Sequence, residues 1–91
     1  MAEITDVRVR KVMKEGKLKA MVSIVLDNEI AIHEIKIIQG QDKLFVAMPS
    51  KKDEATGTFK DIVHPMSTAA RDKMEALIID EYERYILSND L

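Results

Sequence analysis

The hydrophobic pattern of this chain changes once, near His64-Pro65, and that change limits the folds it can adopt. Before this point apolar residues recur at every second position, which is typical of half-buried β-strands. After it they recur at spacings of three and four, which is typical of an amphipathic helix. The sequence therefore predicts an α+β domain in which one C-terminal helix covers part of an antiparallel sheet.

Five strands are predicted in the first 63 residues. Turn signals at Lys14–Lys17, Asp27-Asn28 and Gln39–Asp42 separate the first four, so consecutive strands are expected to pair as a meander. Pro49 ends the fourth strand because proline cannot donate to a sheet ladder. The segment Ser50–Thr58 is expected to be an exposed loop. The predicted strands are 4–13, 18–26, 30–38, 44–48 and 59–63.

The helix is predicted within residues 66–88, with Ser67 or Thr68 capping its N-terminus. A chain of 91 residues is long enough for one domain, 1–91, with the sheet in 1–63. One helix covers only part of one sheet face, yet several strands carry apolar residues on both faces. A second copy of the chain is the economical cover, so we expect a homodimer formed through the sheets.

Composition narrows the class of protein further. The absence of cysteine excludes disulfides, thiolate metal sites and a cysteine nucleophile. No apolar run approaches the ~20 residues of a membrane span, and the N-terminus lacks the basic start and apolar run of a signal peptide. We therefore expect a cytoplasmic protein that does not contact a membrane.

An enzyme active site is not indicated. Asp61, His64 and Ser67 are the residue types of a hydrolase triad, but they straddle a strand end, a proline and a helix start, without an oxyanion-hole motif. Neither His33 nor His64 has a metal-ligand partner two to four residues further on. No glycine-rich nucleotide motif is present. We predict no catalysis, metal, cofactor or small-molecule substrate, and expect His64 to be a turn residue that hydrogen-bonds nearby backbone.

Basic residues carry a stronger functional signal, although the net charge of −2 means that any site for a polyanion must be local. Arg71 and Lys73 fall in the first two turns of the predicted helix, where the macrodipole disfavours cations. They are explained if this helix N-terminus holds a phosphate, and simple tolerance by a long helix is the alternative. Lys51 and Lys52 occupy a loop tip, where solubility is the alternative explanation.

Arg8 and Arg10 form a candidate secondary basic face, because period 2 places both on one side of the first strand. A solvated sheet face is the more common explanation for such residues. The four aromatic residues are all expected in the core: Phe45, Phe59, Tyr82 and Tyr85. Buried rings cannot stack on unpaired bases, which favours binding to the phosphates of a duplex over binding to single strands.

Several stretches of the chain match motifs of one bacterial family. The most specific is LFVAMPSKK at Leu44–Lys52, followed by FKDIVHP at Phe59–Pro65 and then Arg71. Further matches are Ile4–Arg8 with Arg10, Ser23-Ile24 with Leu26-Asp27, and His33 followed by Ile35 and Gly40. Together these stretches resemble the SpoVG family, the stage V sporulation and septation regulators.

The resemblance implies a five-stranded antiparallel sheet, a C-terminal helical region, a homodimer formed through the sheets, and sequence-selective DNA binding that affects transcription. RNA binding is also attributed to the family. The resemblance places Lys51, Lys52, Arg71 and Lys73 at the nucleic acid. Many members have Lys-Arg at 51–52, so the second lysine here weakens the case for bidentate reading of guanine.

Two functions of different classes follow from these observations. The first is a homodimeric DNA-binding regulator whose basic loop and helix N-terminus grip duplex phosphates. The alternative is a protein-interaction adaptor in cell division or sporulation, which would use an exposed strand edge or the acidic face of the helix. Phosphate-driven binding weakens steeply with salt whereas an apolar interface hardly responds, so salt dependence separates the two.

Overall fold

The computed structural model describes residues 3–89, which form a four-stranded sheet, a two-stranded ribbon and one C-terminal helix. The sheet has the order β1 (Ile4–Val12), β2 (Leu18–Leu26), β3 (Ile30–Gln39) and β4 (Leu44–Ala47), and every pair is antiparallel. The ribbon pairs β5 (Ser50–Lys52) with β6 (Phe59–Asp61), and α1 spans Thr68–Ser88. The α+β class, the meander of the first four strands and the C-terminal helix are confirmed.

The turn between β2 and β3 shows how short polar signals fix the meander. Asp27 and Asn28 adopt φ values of 52° and 57°, a left-handed conformation that Asp and Asn tolerate better than most residues. The turn is tied to β1, because Asn28 N donates to Thr5 Oγ1 and Asp27 Oδ1 accepts from Glu3 N, both at 2.9 Å. These bonds set the register of three strands at one end of the sheet.

The structure corrects the prediction of a five-stranded sheet, because β6 does not join β1–β4. Ser50–Lys52, expected as part of a loop, is instead a strand that pairs with β6. A turn closes the ribbon, with Asp53 N donating to Thr58 O at 2.7 Å and Gly57 at φ 73°. Its base is fixed to the end of β4 by Ile62 N, which donates to Pro49 O at 2.8 Å.

The helix covers one face of the sheet through Met74, Ile78 and Tyr82, which recur every four residues. Of the two predicted capping residues Ser67 is the N-cap, and its Oγ accepts from Ala70 N at 3.1 Å. The sheet and its flanking segment contribute the remaining buried apolar residues: Ala20, Val22, Ile24, Ile35, Ile37, Val46 and Met48. Within residues 3–89, no helix combines the length and apolar composition that a membrane crossing requires.

The opposite face, which we call the open face, carries the side chains that alternate with the core along β1–β4. Leu18 pairs with Ile38, and Ile38 pairs with Phe45, so these three residues form an apolar row across one end of the open face. Gly40 lies close beneath the Phe45 ring, since a Cβ at this glycine would come within 3.3 Å of Phe45 Cδ1. The other end of the open face is polar, with Arg8, Arg10, Ser23 and His33.

Candidate nucleic-acid interface

The β5–β6 ribbon gathers three lysines at the surface. Lys51 lies directly opposite Lys60, although like charges at facing positions of an antiparallel pair destabilise it. Lys60 Nζ is 3.4 Å from Asp53 Oδ2, and the Lys60 side chain remains 71% exposed. Lys60 was missed at the sequence level because the ribbon pairing that brings it to Lys51 was not predicted.

An aromatic ring lies on the other side of the ribbon. Phe59 faces Lys52 across the two strands and is 70% exposed. The expectation that all four aromatic residues lie in the core is therefore wrong for Phe59, and also for Phe45 and Tyr85, which are 38% and 37% exposed; it is confirmed for Tyr82. An exposed ring beside a cation is the combination that stacks an unpaired base and holds its phosphate, so the aromatic residues no longer favour duplex over single-stranded targets.

Carboxylates balance the ribbon lysines in number. A depression of about 600 Å³ is lined by the three lysines and also by Asp53, Glu54 and Asp61. Asp53 and Glu54 belong to the turn, and Asp61 faces Ser50 at the base of the ribbon. The Lys51–Lys60 pair lies between them, so attraction for phosphate is confined to the middle of the ribbon.

At the start of α1, Arg71 is engaged with the protein itself. Its Nε lies 3.1 Å from Glu75 Oε1, and its Nη2 donates to Val46 O at 3.5 Å. The carboxylate one turn along offsets the unfavourable helix dipole, which gives Arg71 a structural reason for its position. Lys73 makes no ion pair within residues 3–89 and borders a separate apolar groove.

This groove lies between the start of α1 and one end of the sheet, and its volume is about 410 Å³. Its walls are mostly apolar, and His64 and Lys73 lie at its edge. Lys51 and Lys52 line a different depression, which shares no lining residue with this groove.

Two of the three residues of triad type are bonded to backbone groups. Ser67 Oγ caps the helix, and His64 Nδ1 lies 3.1 Å from Pro65 O. In the part of the chain that the structure describes, no hydrogen bond joins Asp61, His64 and Ser67 to one another. The prediction that His64 hydrogen-bonds nearby backbone is confirmed, but His64 lies in an irregular segment between β6 and α1 and not in a turn.

The two arginines of β1 differ in their partners although both are exposed. Arg8 Nε bonds Asp6 Oδ2 at 2.7 Å, and this hydrogen bond lowers the pKa of Asp6 and raises that of Arg8. Arg10 Nε instead donates to Ser23 Oγ at 3.3 Å. On the strand face predicted for both arginines, the charge of Arg8 is therefore neutralised by a carboxylate, whereas Arg10 is bonded only to an uncharged hydroxyl.

Comparison with known proteins identifies the family of this chain. The SpoVG family model matches residues 2–84. The chain belongs to the SpoVG family. A relative from Clostridium novyi (strain NT) is 57% identical over 81 residues, covering 89% of this chain and 80% of the relative. One from Lachnoclostridium phytofermentans is 51% identical over 89 residues, covering 98% and 95%.

Both SpoVG relatives carry the name "Putative septation protein SpoVG", which describes a septation protein and not an enzyme. The resemblance identified from the sequence motifs is confirmed. The SpoVG match extends from β1 into the last turns of α1, so it includes the ribbon, the open face and the start of the helix.

Proposed function

We propose that this SpoVG protein is a homodimeric, sequence-selective DNA-binding regulator of bacterial gene expression, of the sporulation or septation type, with RNA as a second ligand. The observation that carries the proposal is the Lys51–Lys60 pair on an exposed two-stranded ribbon. The major groove of DNA admits such a ribbon, and phosphates on its rim would relieve the repulsion between the two lysines.

The helix N-terminus adds a second point of contact. Lys73 extends from the second turn of α1 without a carboxylate partner in residues 3–89, and the first turn contains no acidic residue. Arg71 shares its charge with Glu75, so Lys73 is the stronger phosphate ligand of the two. A two-fold axis would double both contacts.

A dimer is supported by the apolar row on the open face. Phe45 is 38% exposed, and Leu18 and Ile38 are half-buried beside it. A second copy that packs its own row against this one would remove all six side chains from water, which favours association. Phosphate contacts from each protomer would then lie about one symmetry axis, as in dimeric readers of DNA.

The adaptor remains the second candidate, and the apolar groove favours it. Ile62 and Met66, next to the groove wall formed by Val63–Pro65, are 68% and 87% exposed. Exposed apolar residues around a concave surface are typical of a protein contact. This function would require neither the ribbon lysines nor Lys73.

Selection of bound sequences from random pools of duplex DNA and of RNA, followed by footprinting, tests the proposal. A DNA-binding regulator enriches a common duplex sequence and protects it at that site. An adaptor enriches no sequence from either pool, and that result would remove the proposed function. Enrichment from the RNA pool alone would replace DNA by RNA as the ligand.

A further inference from the structure

Arg10 differs from the other three arginines of the chain. Arg8 is bonded to Asp6, Arg71 to Glu75, and Arg84 to Asp80 and Glu81. Arg10 has no carboxylate within 4.0 Å in residues 3–89, and its Nε is bonded to Ser23 Oγ. Arg10 contributes to the lowered pKa of Asp6 only as the smallest of the causes. Its charge is thus the least compensated among the arginines.

Ser23 is the buried polar residue beneath Arg10, with 4% of its surface exposed. Its Oγ also lies 2.9 Å from His33 Nδ1. A buried hydroxyl needs an acceptor for its proton, and among the described residues Nδ1 is the acceptor within reach. The imidazole is then the tautomer with its proton on Nε2, so Nε2–H and the two Nη groups of Arg10 are donors still available to a ligand.

Two irregularities of the sheet produce this arrangement. The register of β1 against β2 shifts between Val9 and Lys11, which makes Arg10 the extra residue of a bulge. The register of β3 against β2 shifts opposite Ser23, where His33 and Glu34 face a single residue. Glu34 there has a φ of 63°, a strained conformation for a residue other than glycine. Bulges re-aim side chains, and these two bring Arg10 and His33 to one hydroxyl.

The surroundings are basic. Lys11 and Lys36 both face Met21, the next residue of β2 on the open face, and neither makes an ion pair in the described residues. Of the nearby carboxylates, Asp6 is bonded to Arg8, and Glu34 is exposed without a cation partner in the described residues. The apolar row begins at Leu18, five residues from Ser23 along β2 and therefore roughly 17 Å away.

We propose that Arg10 and His33, both held by the buried Ser23 hydroxyl, form a phosphate-binding site on the open face of the sheet. The guanidinium offers a planar pair of donors and the imidazole a third, which suits the tetrahedral oxygens of a phosphate. Ser23 is a positioning residue, because it orients both donors without reaching the ligand. The site shares no residue with the ribbon or the helix N-terminus, and it lies at the other end of the open face from the apolar row.

The test titrates the isotope-labelled full chain with inorganic phosphate at constant ionic strength and follows the backbone amide signals of residues 10, 23 and 33. We expect saturable shifts of these signals. Arg10→Ala should weaken binding about tenfold or more, as expected on losing charged hydrogen bonds, whereas Arg8→Ala removes the same charge and should change affinity less than about twofold.

Two further variants separate positioning from charge. Ser23→Ala retains the cation at residue 10 but removes its hydrogen-bond partner, and Arg10→Lys retains the charge but removes the planar pair of donors, so both should weaken phosphate binding. If Ser23→Ala fails to fold, Arg10→Lys carries this part of the test. Affinity unchanged in the folded variants, or equal losses in Arg8→Ala and Arg10→Ala, would show a diffuse basic field and overturn the site.

A short single strand and a short duplex, added in competition, identify the source of the phosphate. Displacement of inorganic phosphate by either oligonucleotide means that a nucleic-acid strand crosses the open face, and no displacement means that a free phosphate is bound. Absence of saturable shifts with all three probes would refute the proposal. Phosphate binding at this site is read from the signals of residues 10, 23 and 33 alone, whereas the proposed function is tested at Lys51 and Lys52 by duplex DNA affinity, so the two can fail separately.

Discussion

Lys51 and Lys60 face each other across a ribbon of only three residues per strand, and most of the Lys60 side chain is in water. Facing cations weaken such a short ribbon, so the arrangement opposes the stability of the free protein. An anion bound between the two lysines would attract both and so replace their repulsion by a net attraction. The pair therefore provides a test that separates stability from binding.

Lys51→Thr should leave the free energy of unfolding unchanged or raise it by a few tenths of a kcal/mol, because it removes cross-strand repulsion and adds a residue suited to strands. The same variant should bind duplex DNA more weakly. Chemical denaturation and fluorescence anisotropy measure the two effects. A loss of stability together with unchanged affinity would mean that Lys51 serves the fold and not the ligand.

Phe59→Ala should weaken binding to single-stranded DNA or RNA by about 1–3 kcal/mol, the usual contribution of one stacked base. Stability should hardly change, since the ring is 70% exposed. Tyr85→Ala is a matched control, because Tyr85 is also partly exposed but lies on the helix. If the two variants bind single strands equally well, Phe59 does not stack on bases.

Alkaline pH should destabilise the fold through Tyr82. Burial, followed by the charge of Glu83, raises the pKa of Tyr82 above its ordinary value of 10.0. The folded state therefore holds the phenol proton more tightly than the unfolded state, so stability is complete below pH 10.0 and falls as pH rises through the folded pKa. Denaturation of Tyr82→Phe should show less loss of stability over this range, and an identical pH profile for both proteins would contradict the assignment.

Much of this fold follows from local sequence signals. The alternation of β2 from Ala20 onward, the Asp27-Asn28 turn and the capping serine Ser67 each act over a few residues and appear as expected. Leu18 is the exception, because a register shift between Leu18 and Ala20 places it on the open face. The ribbon could not be predicted in the same way. Ser50–Lys52 contains no apolar residue, so its strand conformation depends on pairing with Phe59–Asp61 across a turn, which leaves no periodic pattern.

The candidate site was predictable only in part, for the same reason. Lys51 and Lys52 were identified by charge, but Lys60 and the exposure of Phe59 depend on the ribbon pairing. The ion pair of Arg71 with Glu75 was accessible from their spacing of four residues on a helix. The Arg10–Ser23–His33 cluster could not be predicted from the sequence, because it requires bulges in two neighbouring strands.

Phe45→Lys should prevent the proposed dimer from forming, because it places a charge in the apolar row, at its β4 end, where two copies would meet. Phe59→Lys is the control, since it makes the same change at an aromatic residue outside the sheet. Light scattering coupled to size-exclusion chromatography gives both masses. If the unaltered protein is monomeric at every concentration, the proposed two-fold arrangement is wrong. If Phe45→Lys is still a dimer, the interface does not include the apolar row.

The most direct test of nucleic-acid binding by the ribbon is the salt dependence of duplex DNA affinity in Lys51→Ala, Lys52→Ala. Its control is Lys14→Ala, Lys17→Ala, which removes the same charge from the exposed turn between β1 and β2. We predict that the ribbon variant loses about tenfold or more in affinity, about 1.4 kcal/mol, and that its plot of log affinity against log salt flattens by about one unit or more. The control variant should keep the affinity and the salt slope of the unaltered protein. Equal slopes and affinities in the two folded variants would contradict the ribbon as the DNA contact.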